Sequence, residues 1–196
     1  MGIIYTIGTS IHTIDYFLLI LEKYNINAVA DVRSIPYSKH TPQYNRETMI
    51  KYFEEKEVCY FDFTKEFGAK RNELKAYTNN IIDYRKVVNL PNFLHGIERI
   101  KECVNKGYNI AILCTEKNPV NCHRFYMVSK SLNEVLKINI EHILFDGSLI
   151  NHKALEKEML SMFNLENELF NDSKYLLEIA NDKISKKHTL LNKCTL

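Results

Sequence analysis

Little net charge sets the first bound on this sequence. Its 196 residues carry 26 Lys and Arg against 24 Asp and Glu, a formal charge of +2. Such a balance offers no global field for nucleic acid or a membrane surface, although a local basic patch is compatible with it. The five cysteines, Cys59, Cys103, Cys114, Cys122 and Cys194, are odd in number and form no Cys-x-x-Cys pair. That argues against a disulfide framework and fits reduced thiols, so a cytoplasmic location is expected. The start, Met1-Gly2-Ile3-Ile4-Tyr5, lacks the basic segment and apolar core of a secretory signal. No apolar run approaches the ~20 residues that cross a bilayer, so no membrane partner is expected. Walker and Gly-x-Gly-x-x-Gly loops are also missing, which removes the two commonest phosphate-loop signatures.

What is present is alternation of two periodicities. Ile3–Ile7, Asn27–Val32, Val58–Phe63, Tyr108–Leu113 and Glu141–Phe145 read as strands. Between them lie helical patterns. Thr13 caps Ile14, Phe17, Leu18 and Leu21; Asn45 precedes Met49, Tyr52 and Phe53; Pro91 opens a stripe of Phe93, Leu94, Ile97, Ile100 and Val104 that stops at Gly107. After Asp146-Gly147-Ser148 the chain turns into a helix with Leu155, Met159 and Met162. Residues 64–90 read as loop with short helical pieces, a candidate flap. The alternation predicts an α/β fold: one domain with a mainly parallel sheet of about five strands flanked by helices. The core spans residues 1–163. Residues 164–196 form an extension, with one more helix around Leu169–Ile179 and a basic tail from Lys183.

The chemistry gathers where a buried strand meets a helix. Leu113–Arg124 holds Cys114, Glu116, Lys117, Cys122, His123 and Arg124, with Asn118-Pro119 as the expected helix start. In an open α/β sheet this is where ligands bind. Gly8-Thr9-Ser10 and Arg33-Ser34 end two other strands at the same edge, and Ser38 and Lys39 follow in a polar loop.

These pieces together resemble a known family. Tyr5-Thr6-Ile7-Gly8-Thr9-Ser10, Asp31-Val32-Arg33-Ser34-Ile35-Pro36-Tyr37-Ser38-Lys39, Gln43-Tyr44-Asn45 and Leu113-Cys114-Thr115-Glu116 with Cys122-His123-Arg124 are similar to the domain of unknown function 488 family. Its members carry a DVR-x-x-P-x-S-[RK] segment and a C-x-E…CHR segment. The resemblance spans roughly residues 3–146. It implies a compact α/β fold and a shared polar site, and no established activity. One departure is the turn after the third strand, Phe67-Gly68-Ala69-Lys70-Arg71 in place of a Leu-Gly-Gly-Arg-like one.

The leading expectation is an enzyme acting on a phosphorylated or nucleotide-like anion. Cys114 or Cys122 is the candidate nucleophile, and Glu116 or His123 the acid or base. Gly8, Thr9, Ser10, Arg33, Ser34, Ser38, Lys39, Lys117 and Arg124 are the candidate anion-binding residues. Each has a plainer reading. Cys122 fits the apolar stripe of Phe125, Val128 and Leu132 as a small core residue. Arg124 fits a salt bridge to Asp31 or Glu116. The alternative function is a non-catalytic module binding nucleotide or nucleic acid, with Tyr37, Tyr44 and Tyr60 available for stacking. Cofactors are expected to be none. Zinc on Cys114, Cys122 and His123 with His12 or His40 is disfavoured, because adjacent residues on a helix point a quarter turn or more apart. The Cys-x₅-Arg spacing of phosphatase-like loops fails, since Val120 stands where Arg is needed. His95, His142, His152 and His188 read as ordinary surface or helix residues.

Overall fold

Alternate side chains of the middle strands feed two separate cores, and this places the site. The computed structural model describes residues 2–9, 12–165 and 173–193. β1 (Ile4–Gly8), β2 (Ala28–Asp31), β3 (Cys59–Asp62), β6 (Ile110–Cys114) and β7 (Ile140–Ile143) form a parallel sheet, which β8 (Leu149–Asn151) joins antiparallel; the order is β3-β2-β6-β1-β7-β8. Ile110, Ile112 and Cys114 of β6 face one layer; Ala111 and Leu113 face the other. Gly8 lies opposite Cys114 and Asp31 opposite Leu113, so β1, β2 and β6 end at one carboxyl edge.

The layer under Ala111 and Leu113 is α1 (Ile14–Lys23) and α2 (Arg46–Glu55), which bury Phe17, Leu21, Met49 and Phe53. Thr13 caps α1 by accepting the Tyr16 amide at 3.3 Å, as its position suggests. The opposite layer is built on α5 (Pro91–Asn105). Its predicted stripe is buried except Leu94, which is half exposed.

The structure differs from the sequence reading in four places. Residues 64–90 form α3 (Thr64–Phe67), a hairpin of β4 (Tyr77–Thr78) and β5 (Ile81–Ile82), and α4 (Tyr84–Val87). The hairpin tip, Asn79-Asn80, has φ of 51° and 62°, the left-handed pair that a tight primed turn needs and asparagine tolerates. Asp146-Gly147 also turns a hairpin, into β8, so α7 (His152–Met162) starts one strand later than expected. Asn118-Pro119 starts only a 3₁₀ turn, Pro119–Asn121; Cys122 is then extended (φ −129°, ψ 138°). Arg124–Ser129 is wound as a π-helix before α6 (Lys130–Leu136) continues. Finally, α8 runs from Ser173 to Lys193, past the point where a tail was expected. It packs on α7 and β5. Leu169, Phe170 and Cys194 lie outside the described residues.

Candidate functional site

Cys114 is the last residue of β6, and the strand's alternation turns it toward the α5 layer, beside Cys122 and Phe125. The irregular turn after it brings two more donors back. The Cys114 sulfur lies 3.8 Å from His123 Nδ1, and the Cys122 sulfur lies 3.8 Å from the same nitrogen. Both happen because Cys122 is extended while His123 begins the helix; two successive helical residues would diverge. All three side chains are buried. On its far side, His123 Nε2 sits 3.1 Å from the Val32 carbonyl oxygen. A carbonyl only accepts, so Nε2 carries the proton and Nδ1 turns its lone pair on the two sulfurs.

The two thiols are not equivalent. A hydrogen bond from Cys122 holds the Cys114 thiol well below its ordinary range, against the cost of burial, and the Arg124 guanidinium adds to the effect. Burial and the Cys114 sulfur push Cys122 well above. The two shifts run in opposite directions, so Cys114 is the more acidic thiol of the pair.

Arg124 is fully buried. Its Nη1 donates to the Glu116 carbonyl oxygen at 2.6 Å, while Nε and Nη2 have no hydrogen-bond partner among the described residues. Neither expected salt bridge is formed: the Glu116 side chain is exposed, and Asp31 belongs to Arg33. Gly8 permits this arrangement, since a Cβ there would meet the Glu116 carbonyl oxygen at 2.1 Å and Arg124 Nη2 at 3.2 Å.

Arg33 is held differently. Its Nη2 meets Asp31 Oδ2 at 2.5 Å, Nε meets Oδ1 at 2.9 Å, and Nη1 donates to the Tyr44 carbonyl oxygen at 2.7 Å. The Tyr60 hydroxyl donates to the same carboxylate at 2.8 Å. Its planar fork is thus occupied by Asp31.

A cleft of about 290 Å³ opens over this edge. Its walls are Arg33, Ser34 and Ile35 after β2, Ala69, Lys70 and Tyr84 from the 64–90 segment, Cys114–Glu116, Cys122 and His123, and Tyr126. The other expected residues sit elsewhere. Ser38 accepts the amides of His40 and Thr41 within its loop; Lys39 is exposed; Lys117 stands 3.9 Å from the Phe145 ring centre. The Thr9 amide donates to the Cys114 carbonyl oxygen at 2.9 Å, and Ser10 lies outside the described residues. Tyr44 is buried, so it packs and cannot stack on a base. His12 is stacked on Phe145 at 4.4 Å.

Sequence reasoning missed the Val32 carbonyl, Tyr84, Tyr126 and the use of Lys70. Only Lys70 carried a signal, beside Arg71 in the turn that departs from the family pattern. It also missed a buried chain behind the site. Thr6 Oγ1 lies 2.8 Å from His142 Nδ1, and His142 Nε2 lies 3.0 Å from His152 Nδ1. Both histidines are buried, not surface residues; burial lowers His142 strongly and His152 to about 4.

Comparison with curated proteins and with solved structures returned no match. A sequence model of the family described as domain of unknown function DUF488 matches residues 13–130, from the cap of α1 to the first residue of α6. That span is more than half of the chain and takes in Arg33, the whole Leu113–Arg124 turn and the 64–90 residues that wall the cleft, so the chain belongs to the DUF488 family.

Proposed function

We propose that the chain is an enzyme acting on a small phosphorylated or nucleotide-like anion in the cleft at the carboxyl edge of β2 and β6. The observation that carries this reading is the meeting, on one cleft, of two thiols with an imidazole that is oriented by the Val32 carbonyl. Such a cluster is a reactive centre rather than a packing arrangement. Lys70, exposed on the cleft wall, is the cation free to meet the anion. Arg33 forms part of the cleft wall but does not grip the anion, because Asp31 occupies its fork and neutralises it. Arg124 acts from behind, through the sulfurs. Glu116 and His123 are the groups placed to move a proton.

The test is turnover on a panel of phosphate esters and nucleotides, with thermal shift by inorganic phosphate and mononucleotides alongside. We expect at least one compound to turn over, and Lys70→Met to weaken its binding roughly tenfold, about 1.4 kcal/mol. Binding without turnover would leave a nucleotide- or nucleic-acid-binding module. Neither binding nor turnover across the panel would sink the anionic-substrate reading.

A further inference from the structure

We infer that Cys114, Cys122 and His123 hold a divalent zinc ion whose remaining coordination position opens into the cleft. The inference names the reactive centre of the site proposed above, and rests on that reading only for its relevance to catalysis. It makes Cys114, Cys122 and His123 ligands of the ion, which leaves Glu116 as the group that moves a proton.

Distances support it first. A tetrahedral ion with Zn–S near 2.3 Å and Zn–N near 2.0 Å needs S···N of about 3.5 Å and S···S of about 3.8 Å. Both S···N separations are 3.8 Å, and the three ligand atoms all lie within 4.8 Å of one another. Closing the ring therefore takes shifts of a few tenths of an ångström for nitrogen and no more than about 1 Å between the sulfurs.

Orientation supports it independently. A metal-bound histidine characteristically donates its other ring N–H to a carbonyl or carboxylate, which aims the free lone pair. His123 does this through Nε2 and the Val32 carbonyl oxygen at 3.1 Å, and the aimed nitrogen faces both sulfurs. The objection from spacing, that adjacent Cys122 and His123 diverge, fails because Cys122 is extended.

Charge and access point the same way. A dication with two thiolates is locally neutral. Two sulfurs and one nitrogen suit zinc better than hard ions such as magnesium or calcium. Three protein ligands leave one position open, as in catalytic rather than structural zinc sites. All three ligands line the cleft, and so does the exposed Glu116, a candidate base toward a zinc-bound water.

The experiment uses the untagged full chain, kept reduced and stripped of metal, with Co(II) as the spectroscopic probe and zinc as competitor. We expect one cobalt per chain, a thiolate-to-cobalt charge-transfer band, and the intense ligand-field bands of tetrahedral geometry, all abolished by one equivalent of zinc. Cys114→Ser, Cys122→Ser and His123→Gln should each reduce the charge-transfer intensity at equimolar cobalt at least tenfold. Cys59→Ser and Cys103→Ser should not change it. Far-ultraviolet circular dichroism checks that each variant is folded. Zinc should also protect Cys114 and Cys122 of the parent from alkylation, a readout that needs no variant. A folded parent that binds no cobalt, or binds it equally in the Cys114→Ser/Cys122→Ser double variant, would overturn the site. These measurements contain no substrate, so a failed anionic-substrate reading leaves them standing, and a failed metal site leaves phosphate binding to be judged on its own.

Discussion

Asp31 and Arg33 stand two apart at the end of β2, so the strand's own alternation sends both side chains to one face. There they neutralise each other almost without solvent, with side-chain exposures of 0% and 7%. Removing one partner of such a pair strands the other charge. Asp31→Asn is therefore expected to lower folding stability by about 3–5 kcal/mol, read by urea denaturation at neutral pH. A loss under about 1 kcal/mol would mean that the pair behaves like an exposed one. Part of this was legible beforehand. Asp-x-Arg at a strand end announces charge at a sheet edge. It does not say whether Arg33 reaches out to a ligand or folds back on Asp31, because that is decided by Tyr44 and Tyr60, which lie on other elements. Arg124 shows the same limit. Neither a free fork nor an acidic partner describes it; a backbone carbonyl and a glycine-sized gap in β1 do.

The elements that read best were the regular ones. β1, β2, β3, β6, β7, α1 and α5 follow from period 2 or 3.6 and their caps. The ones that read poorly are short or irregularly wound. Asn79-Asn80 made a hairpin only two residues long on each side, too short to leave a periodic trace. The Cys122–Ser129 segment looked like plain helix because a π-turn changes the winding without changing the composition. β7 and α7 carry the histidine chain, whose members read in the sequence as ordinary surface or helix residues. Both histidines have lowered folded-state values, so the unfolded chain binds more protons below its own value near 6.5. Stability from this pair is thus full above about pH 6.5 and is lost as pH falls toward about 4, where His152 itself titrates. The slope is up to about 1.4 kcal/mol per pH unit for each histidine. Glu156, raised by burial and 3.7 Å from His152 Nε2, works in the opposite sense. Comparing the parent with His142→Gln isolates the histidine contribution. Between pH 7.5 and 5.5 the parent should lose stability more steeply; equal slopes would mean that His142 is hydrated in the folded protein.

At the scale of the whole molecule, the layered α/β plan was legible, and so was the meeting of the ends of β1, β2 and β6 at one carboxyl edge, because both follow from strand–helix alternation alone. The convergence of Cys122 and His123 was not, since it depends on one extended residue. Nor was the docking of α8, whose buried residues Leu176, Ala180 and Ile184 recur every four positions. They close the α7 side of the larger core and support the β4–β5 hairpin. Leu176→Ala and Ile184→Ala should each cost about 2–4 kcal/mol, measured by chemical denaturation. Melting unchanged in both would mean that α8 is not anchored through this stripe. The sheet order has a further consequence, for the order of events as the chain is made. β1 is made well before both its neighbours: Ile4 pairs with Ile110 on one side and Ile140 on the other. At roughly 5–20 residues per second, the first of them follows on the order of 5–20 s behind. Until then Ile4, Tyr5 and Ile7 form an apolar strand with two open edges, and Gly8 has no Cys114 to face. The carboxyl edge that carries the cleft is therefore completed only once β6 has been made, long after β1.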